Sequence, residues 1–192
     1  ELLRKLSVFE RSFVLEDVRV LHERTDGDAG LVEEALDFFI QQGHLIRNAN
    51  VYLFRHELFK QTLYESILNY NKRILHGVVV DWIQEHGKVI VRNNNLRLFY
   101  HLARAERIEE LRDVVFDDVR HIHSPEYLPY IETVLDHTDE EDPEYFNYLF
   151  IKYAVLFNTR CCEGNEEILQ TLLQTYIRKK RLDFAARIYQ VL

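Results

Sequence analysis

Between Gly30 and Gly43 the apolar positions recur every three or four residues. Val32, Ala35, Leu36, Phe39 and Ile40 fall on one face, and Glu33, Glu34, Asp37 and Gln41 on the other. That spacing predicts an amphipathic helix over 30–42, with Gly43 as its left-handed C-terminal cap. The period then shortens. His44-Leu45-Ile46-Arg47 and Val51-Tyr52-Leu53-Phe54 are short runs around Asn48-Ala49-Asn50. Asn tolerates left-handed backbone, so this stretch predicts a two-stranded hairpin, the one β signal in the chain. Upstream, the pattern predicts helices over 2–9 and 15–24. Downstream, Leu58, Leu63 and Ile67 mark one helix, with Lys60 on its solvent side. Leu75, Val78, Val79, Trp82 and Ile83 mark another that ends before Gly87. Tyr64 carries a polar tip on a packing ring, so its hydroxyl is expected to reach a partner group.

The remainder reads as helix throughout. Ile108, Leu111, Val115, Val119 and Ile122 repeat at helical spacing, as do Leu128, Ile131 and Leu135, where Pro129 delays or kinks the start. Tyr145 to Phe157 is almost continuously apolar, and Leu169, Leu172, Leu173 and Tyr176 form another stripe. Six acids in the nine residues from Asp136 to Glu144 mark a solvated loop around Pro143. Three helices and a two-stranded wing give the winged-helix order, and the later helices, joined by short links, suggest antiparallel pairs as in an α-solenoid. The expected fold is mainly α. A winged-helix unit with two following helices occupies 1–87, and an α-helical, tetratricopeptide-like repeat region occupies 88–192, truncated at its C-terminal end.

Composition narrows the function. The 192 residues carry 24 basic and 32 acidic side chains, a net charge of -8, which disfavours binding nucleic acid through phosphates. No run approaches the roughly 20 apolar residues of a membrane helix. The two cysteines, Cys161 and Cys162, are adjacent, so a disulfide framework is excluded and a reducing, cytoplasmic setting is expected. Methionine is absent and the chain begins inside an apolar helical pattern, which reads as an excised fragment.

Phe54-Arg55-His56, followed by Tyr64-Glu65-Ser66 and then Arg73, Leu75 and His76, resembles the segment after the ATPase core in STAND-type signalling ATPases. These include the large LuxR-like regulators and the ATPase regions attached to class III adenylyl cyclases. Leu2 to Phe9 with Phe13, and Ala35-Leu36-Asp37 before Gly43-His44-Leu45-Ile46, are similar to the winged helix of that family. The resemblance covers about residues 1–87. Leu98 to Ala105 and Leu182 to Tyr189 resemble tetratricopeptide helices, without the full 34-residue signature. The chain contains no phosphate-binding loop ending in Gly-Lys-Ser or Gly-Lys-Thr. What the resemblance implies is a non-catalytic regulatory arm, without cofactor, coupling a protein partner or ligand on the repeats to an upstream nucleotide-binding domain of the same parent chain. A plain protein–protein scaffold and a DNA-binding regulator are the alternatives.

Each candidate site has an ordinary reading beside it. The third helix, which would enter a DNA groove, presents Glu33, Glu34 and Asp37 and no Lys or Arg, so like charges would oppose the phosphates. His121 and His123, with His101, His137, Asp117 and Asp118, suggest a metal cluster. Residues two apart on a helix, however, point about 200° away from each other, so no metal is expected. Cys161 and Cys162 follow an apolar helix, where the negative end of the dipole disfavours a thiolate. No catalytic residue is expected. Partner-binding candidates are Arg178, Lys179, Lys180 and Arg181, a basic run that also suits a helix C-terminus, and Tyr145 and Tyr148, the members of the aromatic stretch expected nearest the surface. Neither nucleic acid nor membrane is an expected partner.

Overall fold

In the computed structural model the chain opens with helix α1 (Leu2–Leu6), runs through strand β1 (Ser12–Val14) and enters α2 (Leu15–Asp26) and α3 (Val32–Gln41). Strands β2 (Leu45–Asn48) and β3 (Val51–Phe54) follow, then α4 (Glu57–Glu65), α5 (Asn69–His86) and α6 (Asn94–Arg104). Helices α7 (Ile108–Asp117), α8 (Leu128–Asp136), α9 (Tyr145–Thr159) and α10 (Asn165–Arg178) complete the described elements, with one 3-10 turn at Pro125–Tyr127. The structure describes residues 1–26, 30–86, 94–117, 124–159, 165–178 and 185–186. Among them the protein is mainly helical, with one small antiparallel sheet.

Local chemistry sets the punctuation. At the end of α3, the His44 N–H donates to the Phe39 carbonyl and the Gly43 N–H to the Ile40 carbonyl, both at 2.9 Å. This paired pattern needs a left-handed residue, and Gly43 supplies it at φ 74°. The hairpin turns on Ala49 and Asn50, since Asn48 faces Val51. Ala49 takes the left-handed conformation at φ 53°, where the sequence pointed to the flanking asparagines. The Arg47 Nε–H donates to the Ala49 carbonyl at 3.0 Å, which ties down the turn.

The sheet has three strands, in the order β1-β3-β2. The expected two-stranded hairpin is therefore part of a three-stranded sheet, and β3 is paired on both sides. The sequence hides β1 because it is three residues long and only Phe13 points inward. Phe13 stacks on Phe9 at 5.2 Å and on Tyr52 at 6.0 Å between ring centres. The Val14 N–H donates to the Asp17 carboxylate at 2.9 Å, so the strand runs directly into α2.

Chain 1–107 forms one compact unit and 108–192 another. The first reaches Arg107, because α6 packs along α5 and buries Phe99 and Leu102. Ion pairs brace this helix: Arg97 to Asp17 at 2.9 Å, Arg107 to Asp81 at 2.5 Å and Arg73 to Glu106 at 2.6 Å. Asp17 also accepts the Trp82 indole N–H at 3.3 Å, which gathers β1, α2, α5 and α6 on one carboxylate. The unit's core includes Leu6, Phe9, Leu21, Leu36, Leu45 and Val79.

Helix α4 overturns the expected facing. Leu58 is 79% exposed, while Lys60 is 7% exposed and donates from Nζ to the Glu10 carbonyl and, at 3.2 Å, to Glu57. Leu63 is half-buried and Ile67 buried. The buried stripe thus includes a lysine whose stem packs while its head finds a carbonyl, as long amphipathic side chains can.

In the second unit the helices pack in sequence, α7 on α8, α8 on α9 and α9 on α10. The apolar α9 lies between two neighbours, burying Tyr148, Ile151 and Val155. Phe146, Phe150 and Tyr153 pack with Leu169, Leu172 and Tyr176 of α10. Arg112 reaches from α7 to Asp142 and Glu144, both at 3.0 Å. The acidic loop is therefore fastened at its C-terminal end by a guanidinium.

Candidate functional site

Helix α3 offers the most unusual surface. Its inward side buries Val32 and Leu36, and its outward side leaves Leu31 65% and Phe38 53% exposed beside exposed Glu34 and Asp37. Glu33 pairs with Arg19 of α2. Large apolar side chains set among carboxylates are poor company for a polyanion and good company for a protein surface. The β2–β3 hairpin adds little positive charge: Arg47 folds back over the Tyr52 ring, 5.5 Å from its centre.

Inside the first unit, α4, α5 and α6 bring together three side chains that the sequence separates. The Tyr64 hydroxyl lies 3.1 Å from His76 Nε2, and His76 Nδ1 lies 2.8 Å from His101 Nδ1. Both imidazoles are buried, and His101 Nε2 has no hydrogen-bond partner. The expectation that the Tyr64 hydroxyl finds a partner while its ring packs is met by His76. Burial drives the His76 imidazole down to about 3, helped by the nearby charges of Arg104 and Lys72. Burial likewise holds His101 well below its ordinary value, with His76 and Arg97 adding to the effect. Both rings are therefore neutral at pH 7. Burial pushes the Tyr64 phenol upward against the opposing pull of Arg104, so it keeps its proton.

An open cleft of about 270 Å³ lies at the tyrosine end, lined by Tyr64, Asn69, Lys72, Arg73, Arg104 and Glu106. Lys72 Nζ sits 4.7 Å from the centre of the Tyr64 ring, and the Arg104 guanidinium 5.8 Å from that of Tyr100. Among the described residues neither cation has a carboxylate partner, whereas Arg73 is held by Glu106. Glu106 closes α6 in the left-handed region at φ 57°, and the Arg107 N–H donates back to Leu102. The sequence marked Tyr64 and His76 as a motif and His101 as one histidine among several. Their meeting depends on α6 lying along α5, which no local pattern encodes.

The other candidates separate. Tyr148 is 1% exposed, with its hydroxyl 3.4 Å from the Arg112 carbonyl, which corrects the expectation that it reaches the surface. The Arg112 guanidinium of α7 lies 6.0 Å from the centre of its ring, so α7 helps to cover it. Tyr145 is half-buried and Arg178 is exposed at the end of α10. Lys179, Lys180, Arg181, Cys161, Cys162, His121, His123 and Asp118 lie outside the described residues. His137 Nδ1 lies 2.8 Å from the Thr133 carbonyl of its own helix. Among the described residues no group of three or more His, Cys, Asp or Glu could hold a metal ion, and no helix is long and apolar enough to cross a membrane.

No protein-family model matches the chain, and neither a curated protein nor a solved structure matches it.

Proposed function

We propose that this chain is a non-catalytic interaction arm: a winged-helix unit joined to helical repeats, working in the cytoplasm as part of a larger STAND-type signalling protein whose nucleotide-binding domain lies outside it. The outward face of α3, with Leu31 and Phe38 exposed between Glu34 and Asp37, carries this reading. In a DNA-reading winged helix that face would meet base edges and phosphates. Here it suits a protein surface of opposite character, apolar with a basic rim. The element order α1-β1-α2-α3-β2-β3 and the strand order β1-β3-β2 support the winged-helix part. The stepwise packing of α7 to α10 supports the repeat part.

In this role the arm acts by differential contact. It binds one state of the partner domain better than another, and a ligand or protein on the repeats shifts that balance by its own difference in affinity. No bond need be made or broken within this chain.

The test joins two measurements. The chain should bind duplex DNA of random sequence more weakly than roughly 10⁻⁴ M at physiological salt, the feeble end of non-specific affinity. In a longer chain carrying the coding sequence upstream of Glu1, Phe38→Glu should change ATP hydrolysis at least about tenfold, while altering stability by less than about 0.5 kcal/mol. An unchanged rate leaves a scaffold without a switch. A salt-sensitive micromolar gel shift overturns the protein-docking reading in favour of DNA.

A further inference from the structure

The hydrogen bonds of the Tyr64–His76–His101 relay have a direction, and the unpartnered end fixes it. A neutral imidazole carries one N–H and one bare nitrogen. His101 Nε2 is buried with no partner, and a buried N–H without an acceptor is rarer and more costly than an unfilled lone pair. The bare nitrogen of His101 is therefore Nε2, and its proton sits on Nδ1. That N–H donates to His76 Nδ1 across 2.8 Å, so the His76 proton sits on Nε2 and donates to the Tyr64 oxygen across 3.1 Å. The tyrosine oxygen is thereby filled as an acceptor from inside, and its own hydrogen must point away from the histidines. It points toward the cleft.

The cleft supplies a reason for that orientation. Two cations from different helices, Lys72 and Arg104, line it with no carboxylate partner among the described residues, and the Asn69 side chain stands on the same wall, 3.5 Å from Lys72 Nζ. Arg73 and Glu106, also on the wall, satisfy each other. An ammonium, a guanidinium and an outward hydroxyl make three donor groups carrying two positive charges. A phosphate monoester presents three acceptor oxygens and a charge of roughly −1.5 to −2 at neutral pH. Guanidinium offers it a fork and ammonium a point charge. The volume of about 270 Å³ is several times the roughly 30 Å³ share of one liquid water, which leaves room for the organic part of the ester.

The geometry points to the cleft between α4, α5 and α6 as a binding site for a small phosphate monoester, held by Lys72 and Arg104 and by a Tyr64 hydroxyl that the buried histidine pair turns outward. The histidines act through Tyr64 and never meet the ligand. This site is independent of the α3 surface, and its failure would leave the docking reading untouched.

The experiment uses the 192-residue chain labelled with ¹⁵N at histidine. Long-range ¹H–¹⁵N correlation at pH 7.5 should show His101 protonated at Nδ1 and His76 at Nε2; the reverse pair of tautomers overturns the proposal. Glycerol 3-phosphate, inorganic phosphate and acetate are then titrated at constant ionic strength and followed on backbone amides 64–73 and 103–106. Glycerol 3-phosphate should bind at millimolar concentration or tighter, with inorganic phosphate similar or weaker and acetate showing no saturable shift. Tyr64→Phe should weaken binding about tenfold and Lys72→Ala with Arg104→Ala should abolish it, with melting curves establishing that each variant is folded. Saturable binding of acetate at the strength of the ester, binding that survives the double substitution in a folded protein, or no binding of either phosphate probe would each overturn the proposal.

Discussion

Acidifying the protein from pH 7 to pH 5 should remove about 2 kcal/mol of folding stability through His76, with His101 acting in the same direction. Burial depresses both imidazoles, His76 to about 3 and His101 well below the ordinary 6.5. Below pH 6.5 the unfolded chain takes up a proton on each ring while the folded protein does not, so stability falls as pH falls. His76 contributes about 1.4 kcal/mol per pH unit in this window. His76 over the 1.5 units below 6.5 gives about 2 kcal/mol, a sizeable share of the roughly 5–15 kcal/mol a domain possesses, and His101 adds to it. The loss continues toward pH 3, where His76 begins to protonate in the folded state. Urea melts at pH 7 and pH 5 measure it, and the slope should be smaller in His101→Leu. Superimposable melts at the two pH values would mean that the rings are solvated.

Replacing Lys60 by Ala should cost about 1.5–3 kcal/mol, the range for losing a hydrogen bond made by a charged group. Replacing Leu58 by Ala, two residues away, should cost less than about 0.5 kcal/mol. The ranking inverts what residue type suggests. Lys60 is buried and its Nζ fills the Glu10 carbonyl in the link between α1 and β1, whereas Leu58 faces outward. Without the ammonium that carbonyl loses its donor, and the aliphatic stem leaves a gap. Denaturant midpoints of the two variants beside the parent decide the matter, and a larger effect at Leu58 would restore the conventional facing of α4.

The contrast shows where the sequence was legible. Helix α3 and its cap were, because Gly43 and the spacing from Val32 to Ile40 express a rule confined to a few neighbouring residues. The hairpin was, for the same reason, although its left-handed position fell on Ala49. Helix α4 was misread because its stripe mixes one lysine with several apolar residues, and only a carbonyl fifty positions upstream distinguishes Lys60 from a solvent-facing lysine. Strand β1 offers too few residues for a period, and its partner lies beyond two helices. Tyr148 looked like a surface tyrosine by type, yet α9 is covered from both sides. Of the relay only the Tyr64 hydroxyl's need of a partner was legible; His76 sits on α5 and His101 arrives on α6, and packing between helices leaves no mark at either residue.

The strand order β1-β3-β2 also has a consequence in time. Strands β2 and β3 meet across a two-residue turn, a closure that costs little chain entropy and takes microseconds in isolated hairpins. Strand β1 can reach the far edge of β3 only by closing a loop that contains the whole of α2 and α3, and its three residues offer few hydrogen bonds in return. It is expected to pair last, after those helices have folded and brought their ends together. Phe13 then enters between Phe9 and Tyr52 as the final piece of that corner. The shortest of the described strands is in effect a latch, and protection of its amides from exchange would report that everything beneath it had already assembled.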